Sequence, residues 1–247
     1  MITHTLYGGE VVVEFDEKAH RYLANGKPCQ GVTGALKVID KPAIGPWMVK
    51  MAAQHVADTL RPGIALDEIQ IGRLVADMKR AHRSTSDEAA DIGKLTHAYA
   101  EAFARNQHPD LPVNPQARRA CEAFRYWALC VDLQVVHAER IIYSRQHDYA
   151  GTCDLVGMVD GKLVVADYKT SSGLYDEMRF QVAAYKLALV EEGVVPPEAG
   201  RMILRFAKDG SGFHVHELPA EDEEGDTRAF LAALELSAIV NQRRARR

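Results

Sequence analysis

Apolar positions along the chain fall into two regimes, and the change between them lies near Gln134. From Trp47 to Leu60 they recur at helical spacing (Trp47, Met51, His55 or Val56, Leu60) until Pro62-Gly63 stops the run. The stripe Ile71, Leu74, Val75, Met78 predicts a second helix over about 67–82. Thr85-Ser86-Asp87-Glu88 has the form of a capping box and predicts a new helix from there to about Asn106. Asn114-Pro115 sets an N-cap before a proline at the first helical position, predicting a helix to about Val131. Ahead of these, Val11, Val13 and Phe15 alternate. His20–Leu23 and the turn Asn25-Gly26 follow, predicting a short N-terminal hairpin or edge strands.

Beyond Gln134 the period shortens to two, with β-rich runs at 135–143, 149–159 and 162–171. A helix over about 175–192 is closed by Gly193 and Pro196-Pro197. Strands 201–207 and 213–218 then flank Asp209-Gly210, and a last helix covers about 222–241. The order helix, three strands, helix, two strands, helix predicts an α/β (α+β) fold, a sheet flanked by helices with a helical N-terminal part.

Composition narrows the class rather than the function. With 47% apolar and 26% charged residues, the chain of 247 is neither collagen-like nor disordered. No run of about 18 apolar residues predicts a membrane span. The first residues carry acids and neither Lys nor Arg, so no secretory or mitochondrial presequence is expected. Four scattered cysteines without a CxxC pair fit a reducing compartment. The net charge of −4 lacks the basic excess of a passive DNA-coating module, yet leaves room for an enzyme whose positive charge comes from bound metal. Glu217–Asp226 holds six acids and no base, and the last seven residues hold four Arg, read either as a solvated terminus or as a strand-guiding tail.

The chemistry concentrates in 151–169. Asp160-Gly161 is a strong two-residue hairpin signal, because a type I′ turn needs positive φ at both positions. If Val159 then pairs with Lys162, Asp154 falls opposite Asp167, with Cβ atoms about 4.5–5.5 Å apart on one face. Lys169, two residues on, shares that face. Two carboxylates among Leu155, Val156, Val164 and Val165 repel one another, and Lys169 is one charge against two. A divalent ion such as Mg²⁺ or Mn²⁺ resolves this, while the bland alternative is an Asp–Lys–Asp ion cluster on a solvated face. Gln181 and Tyr185 stand at i and i+4 on the following helix, and His97 follows Gly93 by four and precedes Glu101 by four. Taken singly, the Gln181–Tyr185 pair is more often core-edge packing and a lone helical histidine more often a satisfied structural residue.

Taken together, Asp154, Asp167-Tyr168-Lys169, Gln181-x-x-x-Tyr185 and Gly93-x-x-x-His97 resemble the PD-(D/E)XK nuclease superfamily. The likeness leans to its RecB-type and phage-exonuclease branch. It covers about residues 86–192, and His20–Val56 looks like the leader of phage-type members. It implies a restriction-endonuclease-like core with a central mixed sheet, in a single nuclease domain over 1–247. Within that domain, 1–85 would be N-terminal hairpin and helices, 86–220 catalytic core, and 221–247 C-terminal helix and basic tail.

By the same resemblance, Asp154, Asp167, the Tyr168 carbonyl and His97 would hold Mg²⁺, with Mn²⁺ able to substitute. Lys169 would position and help deprotonate the attacking water. Gln181, Tyr185 and Thr170 would orient Lys169 or the nucleic-acid strand. Glu139 lies where relatives often carry an acid, and it reads equally well as an exposed strand residue; Glu101 is a further candidate. The implied activity is a DNA exonuclease leaving 5′-phosphates, in a bacterial or phage-infected cytoplasm, with DNA and a single-strand annealing or recombination protein as partners. A structure-specific endonuclease on the same site and a non-catalytic binder of DNA ends or single strands are the alternatives.

Some relatives hold an iron–sulfur cluster with three downstream cysteines; none follows Cys153, so no cluster is expected. There is no GxxxxGK[ST], HExxH or GxSxG. His214-x-His216 shares one strand face but has no evident third ligand.

Overall fold

The structure, a computed structural model, describes residues 2–19, 21–42, 44–207 and 211–246, and the side chains of 82–89 and 245 stand outside the described set. The strand expected from His20 begins at Arg21, and the turn at Asp209-Gly210, like His20 itself, lies outside the described residues. Two compact units are present: 40–94, and 1–39 together with 95–247. The first holds α2 (Ile44–Thr59) and the leading part of α3 (Glu68–Ala104), and the short α1 (Val32–Ala35) belongs to the second.

α3 corrects the sequence reading. The two helices expected over 67–82 and from Thr85 to Asn106 are one helix of 37 residues. No Gly or Pro lies between Arg73 and Ile92 to break it. The box pattern marks a start only where the preceding chain leaves the helix, and here it does not.

The second unit carries a nine-stranded mixed sheet in the order β1 (Ile2–Leu6), β2 (Val11–Asp16), β3 (Arg21–Ala24), β4 (Lys27–Gly31), β6 (Tyr149–Val159), β7 (Lys162–Ser171), β8 (Gly200–Ala207), β9 (Phe213–Leu218). β5 (Gln134–Ser144) pairs with β6 off this path. The turns follow the sequence chemistry: Asn25 and Gly26 between β3 and β4, and Asp160 and Gly161 between β6 and β7, all have positive φ.

Helices cover both faces. α5 (Asp176–Glu191) and α6 (Glu223–Ala245) pack over one, with Val182, Tyr185, Leu189 and Phe230 against Tyr149, Cys153, Val156, Val165 and Ile203. The end of α3 and α4 (Pro115–Cys130) cover the other, with Tyr99, Ala100 and Phe124 against Leu155, Ala166, Tyr168, Leu204 and Phe206. Asn114 caps α4 as its sequence predicts, accepting the Gln116 and Ala117 N–H groups.

The acidic run ahead of α6 is used internally. Arg179 reaches Asp222 and Asp226, Lys186 reaches Glu223 at 2.7 Å, and Arg201 donates to Asp226 at 2.7 Å. Lys186, Arg201 and Asp226 are buried, so this clamp ties α6 to α5 and β8.

Sharing of one strand edge positions the site. One edge of β6 pairs with β5 over nearly its whole length. The other edge is divided: Tyr149 and Ala150 pair in parallel with Gln30 and Gly31 of β4, and Leu155–Val159 pair with β7. Residues 151–154 have no strand partner on that side among the described residues.

Candidate metal centre

Asp154 is the last residue of that gap. Cys153 and Val156 lie three apart yet enter the same core, so the in–out alternation of β6 slips by one between them. Opposite Asp154 on β5, Glu139 has φ +51°, and a bulge lies upstream at Val136. A positive φ at a non-glycine strand residue costs backbone energy and re-aims the side chain.

The β6–β7 register matches the sequence expectation. Val159 pairs with Lys162, and the ladder runs back to Leu155 opposite Ala166. It stops one pair before the acids. There the Tyr168 N–H donates to Asp154 Oδ2 at 2.7 Å, so the side chain takes over from the backbone where the strands separate.

Asp167 points toward α5. Gln181 Nε2 donates to its Oδ1 at 3.1 Å and to the Tyr185 hydroxyl oxygen at 2.6 Å. Asp167 Oδ2, buried and without a hydrogen bond, faces the Lys169 ammonium in an ion pair. Asp154 and Asp167 are 7% and 1% exposed, so the pair is well withdrawn from water.

His97 enters from α3 on the other face, its ring edge-on to Tyr168 with centroids 5.5 Å apart. Its Nε2 lies 3.4 Å from Glu139 Oε1 and 3.7 Å from Asp154 Oδ2. One ligand atom from each of His97, Glu139 and Asp154 falls within 4.8 Å of the others. The centre thus takes residues from both helical layers through the gap between β6 and β7.

Electrostatics follow from this packing. Burial, then the Asp167 charge, holds the Asp154 carboxyl well above the usual carboxylate range. Burial alone would lower the His97 imidazole, but the hydrogen bond to Glu139 and the charges of Asp154, Glu139 and Asp167 outweigh it and push it up to about 9. Burial also raises the Tyr168, Tyr185 and Cys153 protons well above their ordinary values. The donor set of His97, Glu139 and Asp154, two carboxylates with one imidazole, fits a hard divalent cation, while Asp167 Oδ2 is engaged by Lys169.

Not every residue singled out in the sequence joins the centre. Glu101 pairs with Arg105 at 2.9 Å. Thr170 is half-buried and lies beside Phe206 of β8. Glu139, for which an exposed strand role was equally open, sits against His97. Cys153 lies in the α5–α6 core, and the remaining free cysteines, Cys29, Cys121 and Cys130, are spread over other elements. Two groups had no local signal in the sequence. Tyr22 of β3 shares a hydrogen bond with Thr152 at 3.0 Å inside the gap, and Arg205 of β8 stands beside Lys169 in the parallel register.

Comparison with known proteins is consistent with this fold. Residues 132–245 match the family model of the PD-(D/E)XK nuclease superfamily, whose members use divalent metals. The match includes Glu139, Asp154, Asp167 and Lys169 but leaves out His97 on α3. The mixed α/β architecture, a central mixed sheet flanked by helices, is consistent with the restriction-endonuclease-like fold of that superfamily. A search of curated proteins returns no match. A solved structure described as "Crystal structure of SSO0001" is 12% identical, with a TM-score of 0.34 over 80% of this chain and 86% of that one, a likeness too faint to bear on function.

Proposed function

We propose that this protein is a divalent-metal-dependent deoxyribonuclease that hydrolyses phosphodiester bonds, acting as an exonuclease. The observation that carries this reading is the meeting of His97, Glu139 and Asp154 at the open end of the β6–β7 hairpin, with the Asp167–Lys169 ion pair on the same strand as the Tyr168 N–H that holds Asp154. A binder of polyanionic strands has no need of clustered buried carboxylates, which repel phosphate unless a cation lies between. The exonuclease assignment and the RecB-type or phage branch rest on the spacings Gly93-x-x-x-His97 and Gln181-x-x-x-Tyr185. A recombination partner and a bacterial or phage-infected cytoplasm follow from that branch alone.

In this reading His97, Asp154 and Asp167, with the Tyr168 carbonyl and Glu139, hold Mg²⁺ or Mn²⁺. A divalent ion supplies positive charge to phosphate oxygens and acidity to water. The protein's own groups do the rest. The Tyr168 N–H fixes the Asp154 carboxylate, and Gln181, itself anchored on Tyr185, fixes Asp167. Lys169, half-buried beside Asp167, orients the attacking water and neutralises charge developing on the phosphate. Among the described residues, no helix is long and apolar enough to cross a membrane.

The test is end-labelled single- and double-stranded DNA, linear and circular, incubated with Mg²⁺, Mn²⁺ or EDTA. Linear strands should be shortened from an end with either metal and left intact in EDTA. Equally fast cutting of closed circles would replace exonuclease with endonuclease. Full cleavage in EDTA would remove the metal.

A further inference from the structure

The face of the sheet that carries Asp167 and Lys169 continues across β8 and β9. In the parallel register Lys169 pairs with Arg205, and Arg205 pairs in turn with His214. Paired residues share a face, and His216, two positions on from His214, shares it too. The Cα atoms of Lys169 and Arg205 are thus about 4.8 Å apart, the spacing of neighbouring strands.

Arg205 is held as a receptor rather than as half of an ion pair. It is 8% exposed. Its Nε donates to His216 Nε2 at 3.4 Å and its Nη1 to the Ser171 carbonyl at 3.0 Å. Burial, with Arg205 and His214 nearby, lowers the His216 imidazole below its ordinary value, which agrees with an unprotonated acceptor nitrogen. Nη2 has no acceptor, and no carboxylate pairs with the guanidinium, among the described residues. The other buried arginine, Arg201, is neutralised by Asp226 and Glu223. A buried cation that finds no counter-charge among the described residues is costly to keep. Two hydrogen bonds fix its fork and leave one nitrogen open, beside the residue that faces the hydrolytic centre.

We propose that Arg205 binds a phosphate of the nucleic-acid strand next to the one positioned at Asp167 and Lys169. This rests on the nuclease reading and adds to it a contact that sets the strand's path over β7 and β8. The guanidinium offers its open nitrogen to a phosphate oxygen from a fork already fixed in place, whereas a Lys ammonium on a flexible stem acts only as a point charge. The ligand is a phosphodiester rather than a free anion, because a chain tethers a second phosphate beside the one at the centre.

The test is fluorescence anisotropy of labelled single- and double-stranded DNA binding to the full chain, titrated over salt in Ca²⁺ to prevent turnover, for wild type, Arg205→Gln and Arg205→Lys. Melting temperatures are recorded alongside. Arg205→Gln should bind about tenfold more weakly. The slope of log affinity against log salt should shrink by about 0.9 for duplex or about 0.7 for single strands, the loss of one phosphate contact. Arg205→Lys should keep that slope. A folded Arg205→Gln protein with an unchanged slope overturns the proposal. So does a loss of affinity that Arg205→Lys shares in full with the same fall in melting temperature, since Arg205 would then only hold Ser171 and His216. If wild type neither binds nor cuts DNA, the nuclease reading falls and the proposal falls with it. If wild type cuts and only the slope is unmoved, the nuclease reading stands alone.

Discussion

Asp154 accepts the backbone N–H of Tyr168 at 2.7 Å, one residue beyond the point where the ladder between their strands ends. A buried carboxylate of the candidate metal centre is thereby built into the sheet's own hydrogen bonding. Its position depends on the backbone of β7, and β7 also carries Asp167 and Lys169.

Replacing Asp154 by Asn should separate chemistry from folding. An Asn oxygen can still accept the Tyr168 N–H, and a neutral amide avoids the burial and the Asp167 charge that disfavour the Asp154 carboxylate. Asp154→Asn should therefore melt no lower than wild type without metal. Mn²⁺ binding by calorimetry should weaken, and cleavage of labelled DNA should be lost. Near wild-type cleavage would show the centre to be misplaced.

Lys169→Ala should behave in the opposite way toward metal. It removes a cation from beside Asp167, so metal affinity should hold or rise. Turnover should fall by about 10²–10⁴-fold, the usual contribution of a proton-handling group. The two measurements together check the role, since loss of metal binding would make Lys169 structural.

His97 predicts a linked pH dependence. Metal binding through its Nε2 must expel the proton held there with a pKa of about 9. Mn²⁺ affinity should rise from pH 7 to 9 and then level. Without metal the sign reverses for stability. The folded pKa is raised above the unfolded value of about 6.5, so the stabilisation is fully present below about 6.5 and is lost as pH rises through 9. His97→Gln should flatten both curves, and melting scans of the metal-free protein across that range check the second.

Gly151 should be intolerant of a methyl group. A Cβ there would lie 3.0 Å from Tyr185 Cε1 and 3.1 Å from Val32 Cγ2. Gly151→Ala should cost about 1–3 kcal/mol of stability by overpacking. Because Tyr185 anchors Gln181, and Gln181 holds Asp167, it should also weaken metal binding. Gly161→Ala, at the open turn, should leave metal affinity alone while losing stability through its φ of +75°.

How far the sequence reaches depends on whether a contact is local. The register of β6 and β7 is legible because Asp160-Gly161 fixes the turn and the turn fixes every pair after it. That Asp167 and Lys169 share a face follows from the same period of two. The approach of His97 to Glu139 is not legible, because it joins α3 to β5 across the gap and no local pattern records that distance. Arg205 is hidden for a related reason: parallel pairing of β7 with β8 is set by the helix between them, not by a turn. The unbroken α3 shows the opposite failure, a local signal that reads strongly and is overridden by the helix already in progress.

The clamp at the start of α6 changes what the acidic run means for a polyanion. Read as text, Glu217–Asp226 is a block of negative charge that would push a strand of phosphates away. In the fold, Asp222, Glu223 and Asp226 are each matched by a cation from α5 or β8 within 2.6 to 3.3 Å, and their fields cancel over a few ångströms. Three of the six acids are thus neutralised in place, so the pairing that fastens the last helix also mutes part of the repulsion that the composition alone would forecast for a polyanion.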